Sequence, residues 1–242
     1  MAATILSKTS KKLFESFPEL KNLADQKWRL NNLYWIKDKQ GNKVKFKPNW
    51  AQQDLINDPH PCQVVLKARQ LGITTYYCIK LLDHALWEDF QQCGIIAHTL
   101  SDAQSLFVDK LKFTFDHIHP ALRALFRTVG DSAKELRFAH GSCIRVGTSL
   151  RSSTLNQLHI SEMGKIVCKY PEKSREIITG ALQTLAPGQS CYIESTAEGS
   201  QGFFHDLVMR SLEKKERGEE FGPLDFKPFF FPWWKAPEYA ID

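Results

Sequence analysis

A chain of 242 residues with 43% apolar content suits one ordinary globular domain or two small ones, and is too apolar for a disordered or collagen-like chain. Its 32 Lys and Arg against 27 Asp and Glu leave a net charge of +5, a mild surplus that permits a polyanionic partner without demanding one. The six cysteines form no CxxC pair, no apolar run approaches the ~18–20 residues of a membrane helix, and the N-terminus is not a secretory signal, so a zinc ribbon, a CxxC redox site, a membrane span and a secreted protein are all set aside. The expectation is a soluble intracellular protein with reduced thiols.

In chain order, residues 1–28 read as a helical appendage. Leu13, Phe14, Phe17, Leu20 and Leu23 recur at helical spacing among lysines, interrupted by Pro18. Residues 29–242 then form the main domain. Leu33–Ile36 and Val44–Phe46 flank a turn at Asp38–Asn42, a hairpin signature, and Pro48-Asn49 opens a short helix over Trp50–Ile56. From residue 62 strands and helices alternate: Val64–Leu66, helix Thr74–Trp87, Gly94–Ala97, then a helix capped by Ser101 with Asp102 behind it. Leu136–Phe138 and Cys143–Val146 pair around His140-Gly141. Strand Leu158–Ile160, helix Arg175–Leu182, strand Ser190–Glu194, helix Phe203–Arg217 and an edge strand Phe226–Phe231 complete the pattern. Such alternation predicts α/β with a mainly parallel sheet, whose ligands gather at the carboxyl ends of the strands, in the loops after 66, 97, 160 and 194.

Three of these strand ends carry chemistry. Lys67-Ala68-Arg69-Gln70-Leu71-Gly72-Ile73-Thr74-Thr75 joins a strand to a helix, the setting of a phosphate-binding GxxxxGK[ST] loop. Gly72 and Thr74 fit that pattern; Lys67 stands at the first glycine's place and Ile73 at the usual lysine's. Backbone N–H groups and the helix dipole attract phosphate oxygens there. Ile73 supplies no cation, so Lys67 must fold back from the front of the loop, with Arg69 against the γ-phosphate and Thr74 offering its hydroxyl to Mg²⁺. At the second strand end, Glu162 is placed to polarise an attacking water as a general base, and Ser161 before it stands where a metal-binding Asp is expected. At the third, Glu194-Ser195-Thr196 sits where hydroxyls sense loss of the γ-phosphate. Each signal alone has a blander alternative, a surface charge or a helix cap. The three together favour a nucleotide hydrolase.

These residues resemble the ATPase domain of the large terminase subunit, the motor that packages DNA into tailed bacteriophage heads. The likeness runs from about Leu33 to Tyr239. Residues 67–75 resemble the deviant Walker A with its lysine at the front, close to an RQLGKTT version except at Ile73. Leu158–Glu162 resembles Walker B with Ser for Asp, and Glu194–Gly199 the coupling motif. Trp50–Ile56 is similar to the adenine-reading glutamine motif, with Gln52 fitting best and Gln53 as fallback. Phe229–Trp234 and Pro237–Tyr239 resemble the domain's end. The resemblance implies a P-loop (RecA/ASCE-like) fold in the main domain and a motor that hydrolyses ATP with Mg²⁺, the metal held largely by Thr74, phosphates and water, with Ser161 reaching it directly or through water. It implies double-stranded DNA, a portal protein, a small terminase subunit and sister copies in a homo-oligomeric ring as partners, with a monomer in isolation and the cytoplasm of a bacterial host as the location. The family's nuclease domain is expected to be absent, and DNA cutting with it. Two other expectations stand beside this one: a helicase-type ATPase, and a nucleotide-binding but inactive DNA-docking scaffold.

Other groups read as structural or as solvated surface. His117 and His119 lack a third metal partner. Lys165, Lys169, Lys173 and Arg175, like Lys11, Lys12, Lys21 and Lys27, are solvated charges first and DNA contacts second. The aromatic run Phe226–Trp234 is expected to pack as core or beneath a further domain.

Overall fold

The computed structural model describes residues 18–150, 154–180, 182 and 188–236. Strands β1 (Trp35–Lys37) and β2 (Lys43–Lys45) form the expected antiparallel hairpin. Strands β3 (Cys62–Lys67), β4 (Gln92–Ile96), β5 (Thr128–Asp131), β6 (Glu135–Phe138), β7 (Cys143–Gly147), β8 (Gln157–Ser161), β9 (Ser190–Ser195) and β10 (Lys227–Phe231) make one sheet, ordered β10-β3-β9-β8-β4-β7-β6-β5. The strands from β10 to β7 run parallel, and β6 and β5 close the far side antiparallel. The mainly parallel α/β architecture and the edge position of β10 both match the sequence pattern.

Helices α1 (Gln26–Asn32), α2 (Trp50–Asn57), α3 (Ile73–Trp87), α4 (Leu100–Leu106), α5 (Phe113–Asp116), α6 (Pro120–Leu125), α7 (Met163–Lys169), α8 (Pro171–Thr179) and α9 (Phe203–Glu216) surround the sheet. A π-helical stretch, Phe107–Lys112, joins α4 to α5. The pleat sends neighbouring residues to opposite faces. Val65, Ile95 and Tyr192 join a core with α3, while Val64, Ile96 and Ile193 join a second core with Met163, Ile177 and Phe204 from α7, α8 and α9. Both faces are therefore covered, as a parallel sheet requires. Helix α3 has twelve of its fifteen residues buried, which explains why it is apolar nearly all round. The same alternation puts Lys67, Glu194 and Ser161 on the α3 side.

Some boundaries differ from the sequence reading. The helix after β4 is capped by Thr99, whose side chain accepts from Asp102 N, rather than by Ser101, which lies inside the first turn. The helix expected at 175–182 runs instead over Pro171–Thr179: Pro171 suits a first helical position, and Gly180 follows its end. The boundary drawn after residue 28 falls inside α1, whose Leu30 belongs to the main core and whose Arg29 is fully buried. Leu13, Phe14, Phe17, Lys11, Lys12 and residues 237–239 lie outside the described residues. No helix among the described residues is long and apolar enough to cross a membrane.

Candidate functional site

Helix α2 sets the loop between β3 and α3. Asn49 and Gln52 form a reciprocal capping box: Asn49 Oδ1 accepts from Gln52 N, and Gln52 Oε1 accepts from Asn49 N, both at 3.0 Å. Their remaining amide groups hold the loop, with Asn49 Nδ2 donating to Leu71 O (2.9 Å) and Gln52 Nε2 to Gly72 O (2.8 Å). Gly72 is left-handed (φ 69°), and a Cβ there would lie 2.6 Å from Gln52 Nε2, so both conformation and space demand glycine. Leu71 and Ile73 are buried anchors on either side of it. Ile73 faces the core, so the first residue of α3 offers the loop no side chain. No side chain caps α3, whose first-turn N–H groups and positive dipole end lie beside the loop.

A charge cluster lies under this loop. Lys67, the last residue of β3 and 8% exposed, places Nζ 3.1 Å from Glu162 Oε1 and 3.1 Å from Glu194 Oε2. Glu194 is fully buried on β9, and its Oε1 accepts from Thr74 Oγ1 (2.8 Å) and Ser161 Oγ (2.7 Å). Burial alone pushes the Glu194 carboxyl up, but the Lys67 charge, His159 and the Ser161 hydroxyl outweigh it and hold the pKa well below the ordinary range. Burial likewise pushes Lys67 down, and the two carboxylates more than offset this and raise it. Both partners are thus held ionised.

Glu162 follows β8 in a left-handed conformation (φ 57°), strain of order 1–3 kcal/mol for a side-chain-bearing residue, and starts α7. That turn aims its carboxylate back at Lys67, with the side chain 28% exposed toward the loop. Thr196 Oγ1 donates to Glu162 Oε2 at a long 3.5 Å, while Ser195 Oγ accepts from Gly164 N at 3.1 Å. The end of β9 is therefore tied to α7, and the loop after it to Glu162.

Of the sequence-predicted residues, Lys67, Thr74, Ser161, Glu162, Glu194 and Thr196 converge. Ser195 bonds the α7 backbone instead. Arg69 and Gln70 are exposed in the loop, and Ala68 N donates to Phe231 O (2.8 Å). Thr75 Oγ1 accepts from Lys110 Nζ (2.9 Å). Gln52 touches the loop, whereas Gln53 donates to Asn31 of α1 (2.9 Å). Sequence reasoning missed Asn49, although the Asn49-x-x-Gln52 spacing announces a capping box. It also missed His159, fully buried two residues before Ser161 on the same strand face, 3.4 Å from Glu194 Oε1, with both ring nitrogens lacking a hydrogen bond. Period-two spacing from Ser161 was the signal for it.

Among the described residues, no group of three or more His, Cys, Asp or Glu side chains forms a ready metal cage. Two hydroxyls converging on a carboxylate do fit Mg²⁺, which takes hard oxygen ligands and is held by one or two carboxylates together with substrate phosphates. Elsewhere, His117 Nδ1 meets Phe113 O and His119 caps α6, so both serve helix ends. Lys173 donates to His98 O, and Arg175 pairs with Glu172. The aromatic run splits by alternation: Phe229 and Phe231 are buried, whereas Phe230, Trp233 and Trp234 are exposed.

A parallel sheet with a lysine, hydroxyls and carboxylates gathered at the carboxyl ends of β3, β8 and β9 has the plan of the P-loop ATPase fold. No family model and no curated protein matches the chain. Solved structures narrow the comparison. The Thermus phage P74-26 large terminase ATPase domain is similar over 78% of this chain and 83% of that one, at 17% identity and a TM-score of 0.54. The HK97 bacteriophage large terminase is similar over 88% of this chain and 43% of that one, at 13% identity and a TM-score of 0.62. The chain thus has the fold of a phage large-terminase ATPase domain, and spans less than half of the HK97 protein.

Proposed function

We propose that the chain is the ATP-hydrolysing motor domain of a phage terminase large subunit, driving double-stranded DNA into the procapsid. The observation that carries this reading is the Lys67 ammonium, buried between Glu162 and Glu194 beneath the loop that opens α3. ATP is read with its phosphates over residues 67–75 and its adenine toward Gln52, which braces Gly72 and keeps one N–H and one lone pair in reserve. The γ-phosphate gives Lys67 a new partner, and Arg69 adds its guanidinium at the loop rim. Thr74 and Ser161 would offer hydroxyl oxygens to Mg²⁺, which would neutralise phosphate charge when bound.

Once Lys67 turns to phosphate, Glu162 is free to take a proton from water. That water attacks the γ-phosphorus, the bond to the β–γ bridging oxygen breaks, and ADP and phosphate leave. Loss of the γ-phosphate is felt through Thr196 on Glu162, and Ser195 passes the shift to α7. Double-stranded DNA would be gripped at its phosphates, independently of sequence and sensitively to salt. A portal ring, a small terminase subunit and sister copies are the proposed partners, in the cytoplasm of a bacterial host. Phosphate release by wild type, Lys67→Ala and Glu162→Ala at saturating ATP and Mg²⁺ tests the enzyme. Stimulation by portal separates a packaging motor from a helicase.

A further inference from the structure

Position 161 carries a serine, so β8 offers no carboxylate to a divalent cation at its last residue. The neighbouring strand does. Ser161 and Glu194 are register partners in the parallel β8–β9 ladder, and both side chains emerge on the α3 face. Neighbouring strands lie about 5 Å apart, and glutamate is one methylene longer than aspartate. Glu194 therefore reaches across its own ladder partner to the first turn of α3. Its Oε1 stands 2.7 Å from Ser161 Oγ and 2.8 Å from Thr74 Oγ1. One carboxylate oxygen thus collects the two hydroxyls on which the metal site was expected.

We propose that Glu194, rather than any group at position 161, is the carboxylate that holds the divalent cation of the bound nucleotide; this rests on the nucleotide reading above. Charge balance supports the assignment. Glu194 is fully buried, and a buried carboxylate must keep a counter-charge. Lys67 is that counter-charge now, but it is shared with Glu162 and stands at the front of the loop where phosphate is read. A nucleotide that draws Lys67 away leaves Glu194 needing a cation, and a metal arriving with the phosphates provides one. The fully buried His159 lies 3.4 Å from Glu194 Oε1 and brings no carboxylate of its own. The residue that sequence pattern assigns to coupling thus becomes the metal carboxylate, while Ser195 and Thr196 keep the coupling contacts.

The test is the ratio of ATP-γ-S affinities with Mg²⁺ and with EDTA, measured by calorimetry on the whole chain without reference to turnover. Wild type should bind about tenfold or more tightly with Mg²⁺. Glu194→Gln keeps the shape and both hydroxyl contacts but removes the charge, and should bring the ratio below about twofold. The exchange Ser161→Asp/Glu194→Gln returns a carboxylate to the neighbouring strand and should restore the ratio. Mn²⁺ retained on the nucleotide complex, read by electron paramagnetic resonance, should follow the same order. A folded Glu194→Gln protein with the wild-type ratio overturns the assignment. Should that variant fail to fold, the exchange variant decides: restored Mg²⁺ dependence supports the proposal, and a folded protein without it overturns it. Wild type that binds ATP-γ-S equally well with and without Mg²⁺ sinks this inference alone, whereas wild type that binds no nucleotide sinks the reading beneath it.

Discussion

At the carboxyl-terminal half of α3, Asp83 receives Arg29 through both oxygens (2.8 Å each), Gln26 at 3.0 Å and the Tyr34 hydroxyl, while Arg29 also donates to Leu23 O at 2.7 Å. At the amino-terminal end of the same helix, Glu194 gathers Thr74, Ser161 and Lys67. Both carboxylates are fully buried, yet the surroundings differ. Around Asp83 the partners are close and geometrically matched, a bidentate guanidinium fork locking α1 to α3. Around Glu194, one lysine is divided between two acids, His159 approaches only at a long 3.4 Å, and Glu162 is held in a strained left-handed turn. A completed network is a fastener. An incomplete and strained one, opening on a loop with an uncapped helix start, is where the proposed nucleotide would finish the bonding.

The sharpest break between the two should come at Glu162. Glu162→Gln should slow phosphate release by about 10²–10⁴-fold, the usual range for a general base, with ATP-γ-S binding and melting temperature nearly unchanged. Lys67→Ala should abolish turnover and also cost about 3–5 kcal/mol of stability in urea, because it strands the buried Glu194 charge. The Arg29→Met variant should lose a similar ~3–5 kcal/mol by stranding Asp83, while its folded fraction binds ATP-γ-S like wild type. If Arg29→Met weakens the nucleotide as much as Lys67→Ala does, the two networks are not separate.

Acid distinguishes them further. Glu194 has its folded pKa lowered, so the stability it contributes is present above the ordinary carboxyl range near pH 4.3 and drains away as pH falls through the folded value. Glu194→Gln should therefore flatten the acid limb of the stability profile. An unchanged limb would mean that Glu194 carries no such linkage. The smallest effect is expected at the loop. Gly72→Ala meets Gln52 Nε2 and a left-handed backbone, and should cost about 1–2 kcal/mol along with some nucleotide affinity.

Much of this comparison was legible in sequence on one side only. The alternation of strands and helices, the end of each site strand, and the residues Lys67, Thr74, Ser161, Glu162 and Glu194 follow from periodicity and motif spacing. What spacing does not carry is which neighbour a side chain meets. Glu194 and Ser161 are 33 positions apart and touch because β9 lies beside β8 in the sheet, an order that local pattern leaves open. The Arg29–Asp83 fork was illegible for the same reason: an arginine near the start of the chain looks like surface charge until α1 packs on α3. Pro171 and Gly180 did hold the true limits of α8, and Thr99 the cap of α4.

The most direct measurement is phosphate release by wild type beside Glu162→Gln at saturating ATP and Mg²⁺. The account predicts turnover by wild type that falls at least about a hundredfold in the variant, with both proteins melting at the same temperature. Wild type no faster than the variant, with both folded and both holding nucleotide, would contradict it.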